Sequence, residues 1–276
     1  MLRLPRDQLR IGITPHAVVL ARVSRGRHPS VIEKHIEKCQ PGSTTTTHSI
    51  LTTLTQQIAH EKWQNTVVSV TLSNHLVNYL LIPYRPDISS DNEHDAFIQH
   101  RFNKVFGAQT KQWTLCKNEV NLGVPTLVAG VALALLEGIR QICHAHKLPL
   151  RTVQPYLAQV FNQHCHLFKH ETSWFMLIEH ERVTLAQFQH NAWQHINTHL
   201  IDNDSLASSL MLLLERQLCL SDLHHRPAKV FLLAPEHPKL ALADTGAWII
   251  QQIQPEARFG LSPQTHQPFN IIMGEN

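Results

Sequence analysis

Short apolar runs alternate with helical patterns along the chain, and this order is repeated in its two halves. The first half opens with "IGI", a Thr-Pro-His turn and "AVVLARV", which predict a strand, a tight turn and a second strand. The second half opens with "SWFMLIEHERVTLAQFQHNAWQHI", which predicts a three-stranded meander. Helical and strand patterns alternate after each opening. The sequence therefore predicts an α/β protein of two lobes, each a mixed sheet flanked by helices.

Helix signals place several elements within these lobes. Ser and Asp residues at 89–91 predict the start of a helix that ends at Gly107. Other helical patterns cover about 50–62, 135–146, 155–168 and 205–220. The segment "ALADTGAWIIQQI" at 241–253 is interpreted as a further helix.

Composition indicates a globular chain without membrane spans. Of the 276 residues, 43% are hydrophobic and 16% are charged, which is typical of a protein with a packed core. The longest apolar stretch, at 126–136, is too short to cross a bilayer, and the first ten residues lack a secretory apolar centre. Five scattered cysteines without a CxxC pair favour reduced thiols in a cytoplasmic compartment.

Basic residues are concentrated at the N-terminus. The first 28 residues carry six arginines against a single acidic residue, Asp7: Arg3, Arg6, Arg10, Arg22, Arg25 and Arg27. Such a patch would face anionic lipid or an acidic partner, or else form a solvated strand edge. The net charge of +3 is too small to indicate nucleic-acid binding.

The 21 histidines raise the hypothesis of a metal site. His166 and His170 lie four apart in a helical pattern, but no set of four ligands at zinc spacing can be identified, so exposed polar histidines are expected instead. His164 and His166 are expected to point in different directions. Cys165 lies between them and is expected to be buried and inert. The usual motifs of hydrolases, zinc proteases and P-loop enzymes are absent, and no catalytic or metal-binding residue is assigned.

Several stretches resemble the actin-like, ribonuclease-H-like ATPase superfamily, and within it the PilM family of type IV pilus assembly and the cytoplasmic domain of GspL from type II secretion. The stretches are "IGITPHAVVLARVSR", "VVSVTLSNHLVNYLLIPY" and "TLVAGVALALLEGIRQICHAHKLPLRTVQPYLAQVF". The resemblance implies an N-terminal actin-like lobe at 1–170, with a small inserted subdomain at about 76–147, and a C-terminal actin-like lobe at 171–276.

The nucleotide-binding turns of that superfamily are altered in this chain. The first turn is Thr14-Pro15-His16, in which Pro15 has no N–H to offer a phosphate. The second is Glu179-His180-Glu181, which has no glycine and would face a polyanion with like charge. The third falls in 232–241 and lacks the expected paired glycines. These departures predict a pseudo-ATPase with no cofactor.

The resemblance implies a non-catalytic scaffold for a type IV pilus or a related secretion machine. It would lie in the cytoplasm at the inner face of the inner membrane, which it touches only peripherally. Its partner would be the short cytoplasmic segment of a single-span inner-membrane protein, docked near the inserted subdomain, and not nucleic acid. The alternatives are an ATP-binding ATPase with atypical phosphate loops and, third, a histidine-based metal-binding protein.

The altered turns also lead to a prediction about the cleft between the lobes. His16 of the first lobe is expected to form an ion pair with Glu179 or Glu181 of the second lobe. The alternative is that both glutamates are solvated turn residues.

Overall fold

The computed structural model describes residues 6–40, 46–88, 90–118, 122–168, 172–220, 228–262 and 265–274. The strands of these residues, in chain order, are β1 (Gln8–Ile13), β2 (Ala17–Val23), β3 (Val31–Lys38), β4 (Val67–Leu72), β5 (Val77–Ile82), β6 (Trp113–Lys117), β7 (Thr126–Ala132), β8 (Leu150–Pro155), β9 (Ser173–Glu179), β10 (Arg182–Gln189), β11 (Ala192–Leu200), β12 (Ala228–Leu233) and β13 (Trp248–Ile253). The α-helices are α1 (Thr46–Ile58), α2 (Asp91–Phe106), α3 (Leu133–Ala145), α4 (Tyr156–His164) and α5 (Leu206–Leu220).

The first sheet has the strand order β3-β2-β1-β4-β8. β1, β2 and β3 form an antiparallel meander, and β4 and β8 continue the sheet in parallel on the other side of β1. One face is covered by α1 and α3, where Ile11, Leu20 and Val70 pack with Leu54 and Ile139. All five side chains are fully buried, so this apolar face accounts for much of the first lobe's stability.

The second sheet repeats this arrangement with the order β11-β10-β9-β12-β13. β9, β10 and β11 form the meander that the sequence predicts, and β12 and β13 are added in parallel beside β9. Leu210 and Leu214 of α5 pack on one face against Trp174 and Met176. The repeated strand directions confirm the prediction of two α/β lobes with mixed sheets.

The other faces of the two sheets share one core. Val19 and Ala21 of the first sheet and Phe175 and Leu177 of the second belong to the same buried cluster, together with Leu157 of α4. A continuous apolar core therefore joins the lobes, and we refer to it as the interlobe core.

A small third sheet is inserted between β4 and α3. Its order is β5-β7-β6, its strands are antiparallel, and α2 packs on it through Ile98 and Phe102. α2 begins with the predicted cap, in which the Ser90 side chain and Glu93 form a capping box. It ends at Gly107, whose φ of 82° suits a glycine.

The helix α3 follows the last strand of the inserted sheet, and the expected boundary of the inserted subdomain at about 147 stays a prediction. β7 ends at Ala132, and α3 packs on α1 in the core of the first lobe while also contacting β6 and β7 of the small sheet. The contact is close because Gly138 has no side chain, and a Cβ there would lie 2.4 Å from Cδ1 of Leu51.

The prediction of a helix at 241–253 is wrong, because residues 248–253 form β13. Asp244 and Thr245 fold the preceding segment into a turn. The Thr245 hydroxyl accepts hydrogen bonds from the N–H groups of Ala247 and Trp248, at 3.3 and 3.1 Å, and Asp244 Oδ1 accepts one from Ile250.

The helix α1 is shifted from its predicted range of about 50–62 and covers Thr46–Ile58. Among the described residues, no helix has the length and apolar composition that a membrane crossing requires.

Candidate functional site

A cavity of about 580 Å³ opens between the two lobes, and all three altered turns reach it. It is lined by Thr14, Pro15 and His16 of the first turn, Glu179 and His180 of the second, and Pro235, Glu236 and His237 of the third. We call it the interlobe cleft. Its volume lies in the range that small-molecule sites occupy.

The first turn uses its own hydrogen-bond donors. The Thr14 N–H donates to the carbonyl of Ala17 at 2.9 Å. The N–H groups of Ala17 and His16 donate to the Thr14 hydroxyl at 2.9 and 3.3 Å. Pro15 has no N–H, and the N–H groups of the other three residues are all used within the turn. The turn therefore has no free backbone donor for a ligand.

Glu179, at the end of β9, joins the second lobe to the first. Its side chain is buried, and its carboxylate accepts hydrogen bonds from the Ser73 hydroxyl at 2.8 Å and from the Asn74 N–H at 3.1 Å. Burial raises the pKa of Glu179 to about 7, although these hydrogen bonds favour the charged form. A titratable carboxyl group thus forms part of the cleft wall.

Two further contacts strengthen this junction. The ring of His75 donates from Nε2 to the Glu179 carbonyl at 3.2 Å, and Arg182 Nη1 donates to the Asn74 carbonyl at 3.3 Å. Burial lowers the pKa of His75. We refer to Ser73, Asn74, His75, Glu179 and Arg182 together as the interlobe contact.

Asn74 connects the interlobe contact to the rest of the first lobe. Its side-chain oxygen accepts hydrogen bonds from the Tyr79 hydroxyl at 2.5 Å and from the Leu157 N–H at 3.1 Å. Asn74 is fully buried, so its position is fixed by β5 and α4 at once.

The predicted ion pair between His16 and the glutamates of the second turn is wrong. No salt bridge of His16 is found among the described residues. The His16 ring instead packs edge-on against the ring of His180, with centroids 6.0 Å apart. Glu181 is exposed, as the alternative predicted, whereas Glu179 is buried and bonded to the first lobe.

The second and third turns contact each other. The His180 N–H donates to a carboxylate oxygen of Glu236 at 3.2 Å, so a carboxylate occupies the donor that a phosphate would need. His180 has a φ of 44°, a conformation in which glycine would be unstrained. The expectation from the sequence that all three turns have lost their nucleotide-binding elements stays a prediction.

Comparisons with solved structures agree on the architecture. A protein of unknown function from Bacteroides thetaiotaomicron, described as having the actin-like ATPase fold, superposes with a TM-score of 0.54 at 8% identity, over 83% of this chain and 82% of that one. This chain has the actin-like fold. No protein-family model and no curated protein matches its sequence.

Two other structural neighbours belong to a type IV pilus biogenesis complex and to a type II secretion system. The PilM–PilN type IV pilus biogenesis complex superposes with a TM-score of 0.55 at 15% identity, over 83% of this chain and 82% of the other. The cytoplasmic domain of EpsL, an inner-membrane component of the type II secretion system of Vibrio cholerae, gives 0.53 at 13% identity, over 90% of each chain. At these identities the likeness establishes the fold alone.

The C-terminal segment of this actin-like chain forms part of the cleft, which the sequence patterns did not predict. Residues Gln267–Ile272 form a 3-10 helix that lies on β1, because Gly12 leaves room for the side chain of Ile271. Gln159 of α4 donates to the Ile271 carbonyl at 2.9 Å. The only sequence signal for this packing is the short apolar run "FNIIM".

Arg10 holds residues 272–274 in place through hydrogen bonds and is not part of a surface patch. It is 6% exposed, and its Nη1 donates to the Ile272 carbonyl at 3.0 Å and to the Gly274 carbonyl. Arg22 pairs with Asp7 at 2.8 Å, while Arg25 and Arg27 are exposed. Arg3 lies outside the described residues.

The histidine cluster of the first half differs from expectation in two respects. His164 is buried, whereas the histidines were expected to be exposed, and its ring centroid lies 6.4 Å from that of His166. Cys165 between them is exposed and not buried as predicted. His170 lies outside the described residues. Within the described ranges, no three His, Cys, Asp or Glu side chains are placed to share a metal ion.

Proposed function

We propose that this chain is a non-catalytic scaffold in the assembly of a type IV pilus or a related secretion machine. It would act in the cytoplasm at the inner membrane, by binding the cytoplasmic segment of a single-span membrane protein. The proposal is supported by the actin-like fold, shared with the PilM–PilN complex and with the EpsL cytoplasmic domain over most of each chain.

The proposal that the scaffold is not an enzyme rests on one observation: the backbone N–H groups of the first turn and of His180 at the cleft are already hydrogen-bonded within the protein. The N–H groups of the first turn bond within the turn, and the N–H of His180 bonds to Glu236. Actin-like ATPases need such donors for the phosphates, since phosphate binding depends on converging backbone N–H groups. The two glutamates at the cleft would also repel a polyanion.

A groove beside the inserted sheet is suited to an extended peptide. It has a volume of about 320 Å³ and lies between β5, an edge strand of the small sheet, and β11, an edge strand of the second sheet. Edge strands offer unpaired backbone groups to an added strand, and Val105, Phe106 and Leu200 supply apolar contacts. We therefore propose this groove as the docking site of the partner's cytoplasmic segment.

The test is binding of labelled synthetic peptides to the full chain. The peptides would correspond to the cytoplasmic segments of single-span membrane proteins encoded beside this gene, and binding would be followed by fluorescence anisotropy. Val105→Glu and Leu200→Glu should weaken binding about tenfold or more, because each places a charge among apolar contacts at positions that are 52% and 76% exposed and so tolerate the change. Leu212→Glu, on α5 and 67% exposed, is the matched control.

The docking proposal fails if the peptides bind all three variants as tightly as the unaltered chain. Binding to none of the peptides would leave the scaffold without a partner of the proposed class and would count against the function itself.

The alternative function is an ATP-binding actin-like ATPase with atypical phosphate loops, which the position and volume of the cleft favour. Calorimetric titration with Mg-ATP separates the two. We expect no measurable binding, because each missing contact to phosphate removes about 1.5–3 kcal/mol. A dissociation constant below about 100 μM, roughly −5.4 kcal/mol, would establish the alternative.

A further inference from the structure

The groove between β5 and β11, which we call the docking groove, contains one permanently charged side chain. Of the residues that line it, only Tyr79, Arg182 and His199 can carry a charge. Burial holds the pKa of Tyr79 well above its usual range, and burial together with the charge of Arg216 lowers the pKa of His199. Both side chains are therefore neutral at neutral pH, and the charge of the docking groove is that of Arg182.

Arg182 lines the docking groove without a carboxylate partner. It begins β10 and is half-buried, and its Nη1 donates to the neutral carbonyl of Asn74 at 3.3 Å. Within the described ranges its Nε is buried without a hydrogen-bond acceptor, and its guanidinium forms no ion pair. Partial burial removes water from this charge, and only an opposite charge offsets that loss fully. The wall of the groove is thus suited to an anionic group.

The surroundings of the docking groove favour the same sign of ligand charge. The last turn of α2 supplies Val105 and Phe106 to the groove and also carries Lys104, whereas Asp91 and Glu93 lie in the first turn, at the other end of the helix. The described residues that line the groove include no acid. An acidic segment would therefore be attracted to the groove, and a basic one would be repelled.

The position of Arg182 also sets the pattern that such a segment needs. Arg182 is paired with Leu200 across β10 and β11, so their side chains lie on the same face of the sheet. Val105 and Phe106 line the side of the groove that the inserted unit forms. In an extended segment every second side chain points in the same direction. An acidic side chain at Arg182 would therefore place the side chains two positions before and after it against these apolar residues.

We propose that the docking groove selects a segment with an aspartate or glutamate that pairs with Arg182, and with apolar side chains two positions before and after the acid. The inference rests on the proposed function of this groove and names the chemistry of the segment that it binds. The ion pair supplies specificity, because a segment with an amide in place of the acid leaves the charge of Arg182 without a partner.

The experiment is selection of a displayed library of random peptides on the immobilised full chain. We expect the selected peptides to share an acidic residue with apolar residues two positions away on either side. The same selection on Arg182→Glu should replace the acidic residue by lysine or arginine, because the charge of the groove is then reversed. A folding defect in the variant would not produce this exchange, since a distorted groove would select no common motif.

Titration of a selected peptide measures the ion pair. Replacing its acidic residue by the corresponding amide should weaken binding to the unaltered chain about tenfold, but less than about twofold in Arg182→Gln. Arg151→Gln is the matched control and should retain the tenfold difference, because Arg151 is exposed on β8 and does not line the groove. A thermal melt checks that Arg182→Gln folds without the hydrogen bond to the Asn74 carbonyl.

Selected peptides without a common motif, a common motif without an acidic residue, or an unaltered motif in Arg182→Glu would each overturn the inference. Failure of the proposed function looks different. The segments of single-span membrane proteins encoded beside this gene would then not bind, whereas acidic library peptides still would. If those segments bind equally well with their acidic residues replaced by amides, the proposed function stands and the inference fails.

Discussion

Glu179 shows how a single side chain can connect two lobes at a cost in solvation. Its hydrogen-bond partners, Ser73 and Asn74, are 106 and 105 residues away in the chain. The sequence indicated a carboxylate at the cleft wall, because the turn follows an apolar run. It could not indicate the partner, since only the packing of the lobes brings Ser73 rather than His16 to the carboxylate.

The raised pKa of Glu179 predicts a specific pH dependence of stability. Its pKa moves from 4.5 to about 7 on folding, so the folded state binds the proton more tightly between these values. The favourable contribution is therefore complete below about pH 4.5 and is lost as the pH rises through 7. A shift of this size corresponds to roughly 3 kcal/mol in the free energy of unfolding.

Glu179→Gln should remove that dependence, because glutamine stays neutral and keeps the shape of the side chain. Urea unfolding at pH 5.5 and 8.5 would measure the free energy of unfolding of both proteins. Subtracting the values of the unaltered chain from those of the variant removes the contribution of the other titratable groups. We expect the variant to gain about 1–3 kcal/mol relative to the unaltered chain as the pH rises. Glu181→Gln is the exposed control. If the free energy of unfolding of Glu179→Gln changes with pH as it does in the unaltered chain, Glu179 is not the source of the pH dependence.

At the scale of elements, the apolar patterns predicted most strands and helices, and the failures have identifiable causes. "ALADTGAWIIQQI" has enough apolar residues for a helix, but Gly246 interrupts it and the β-branched Ile249 and Ile250 favour a strand. The strand forms because β12 offers a free parallel edge. That edge exists only in the assembled sheet, so a short stretch of sequence cannot predict it.

Gly130 shows a second tertiary constraint within one element. A Cβ at this position of β7 would lie 2.9 Å from ring atoms of both Phe102 and Trp113. Phe102 is fully buried and cannot move outward, so the inserted sheet and α2 can only pack closely around a glycine.

Gly130→Val is accordingly expected to destabilise the inserted sheet by about 1–3 kcal/mol through overpacking. Hydrogen exchange should accelerate in α2 and β5–β7 and remain unchanged in β9–β13. Gly246→Val is the control, because a Cβ there would meet no atom within 4 Å. Uniformly faster exchange throughout the chain would show that the small sheet is not an independent unit.

At the scale of the molecule, the two five-stranded sheets follow one plan and meet in the interlobe core. The repeated order of apolar runs predicted this plan and the two lobes. It did not predict the 3-10 helix at 267–272, because four apolar residues in a segment of irregular pattern do not specify where they pack. That helix touches β1 and α4 and forms part of the cleft wall, so the cleft depends on both ends of the chain.

Gly12→Ala should loosen this segment selectively. The added methyl group would lie 2.4 Å from Cγ2 of Ile271, which costs about 1–3 kcal/mol unless the segment shifts. Limited proteolysis should then cut within 265–274 earlier than in the unaltered chain. In an Ile271→Ala background the same change should cost less, since the nearest clashing atom, Cγ2 of Ile271, is gone and only Cγ2 of Ile272, at 3.0 Å, remains tight. Equal costs in both backgrounds would mean that the contact does not hold the segment.

The hydrogen bonds of Arg10 affect when the protein can complete its folding during synthesis. Its carbonyl partners, Ile272 and Gly274, are synthesised 262 and 264 residues after it. While the ribosome is still adding the second lobe, β1 can pair with its neighbours but lacks the segment that covers it. The interlobe core is therefore completed only after residue 274 has left the exit tunnel, and until then the apolar surface around Gly12 is open to chaperones.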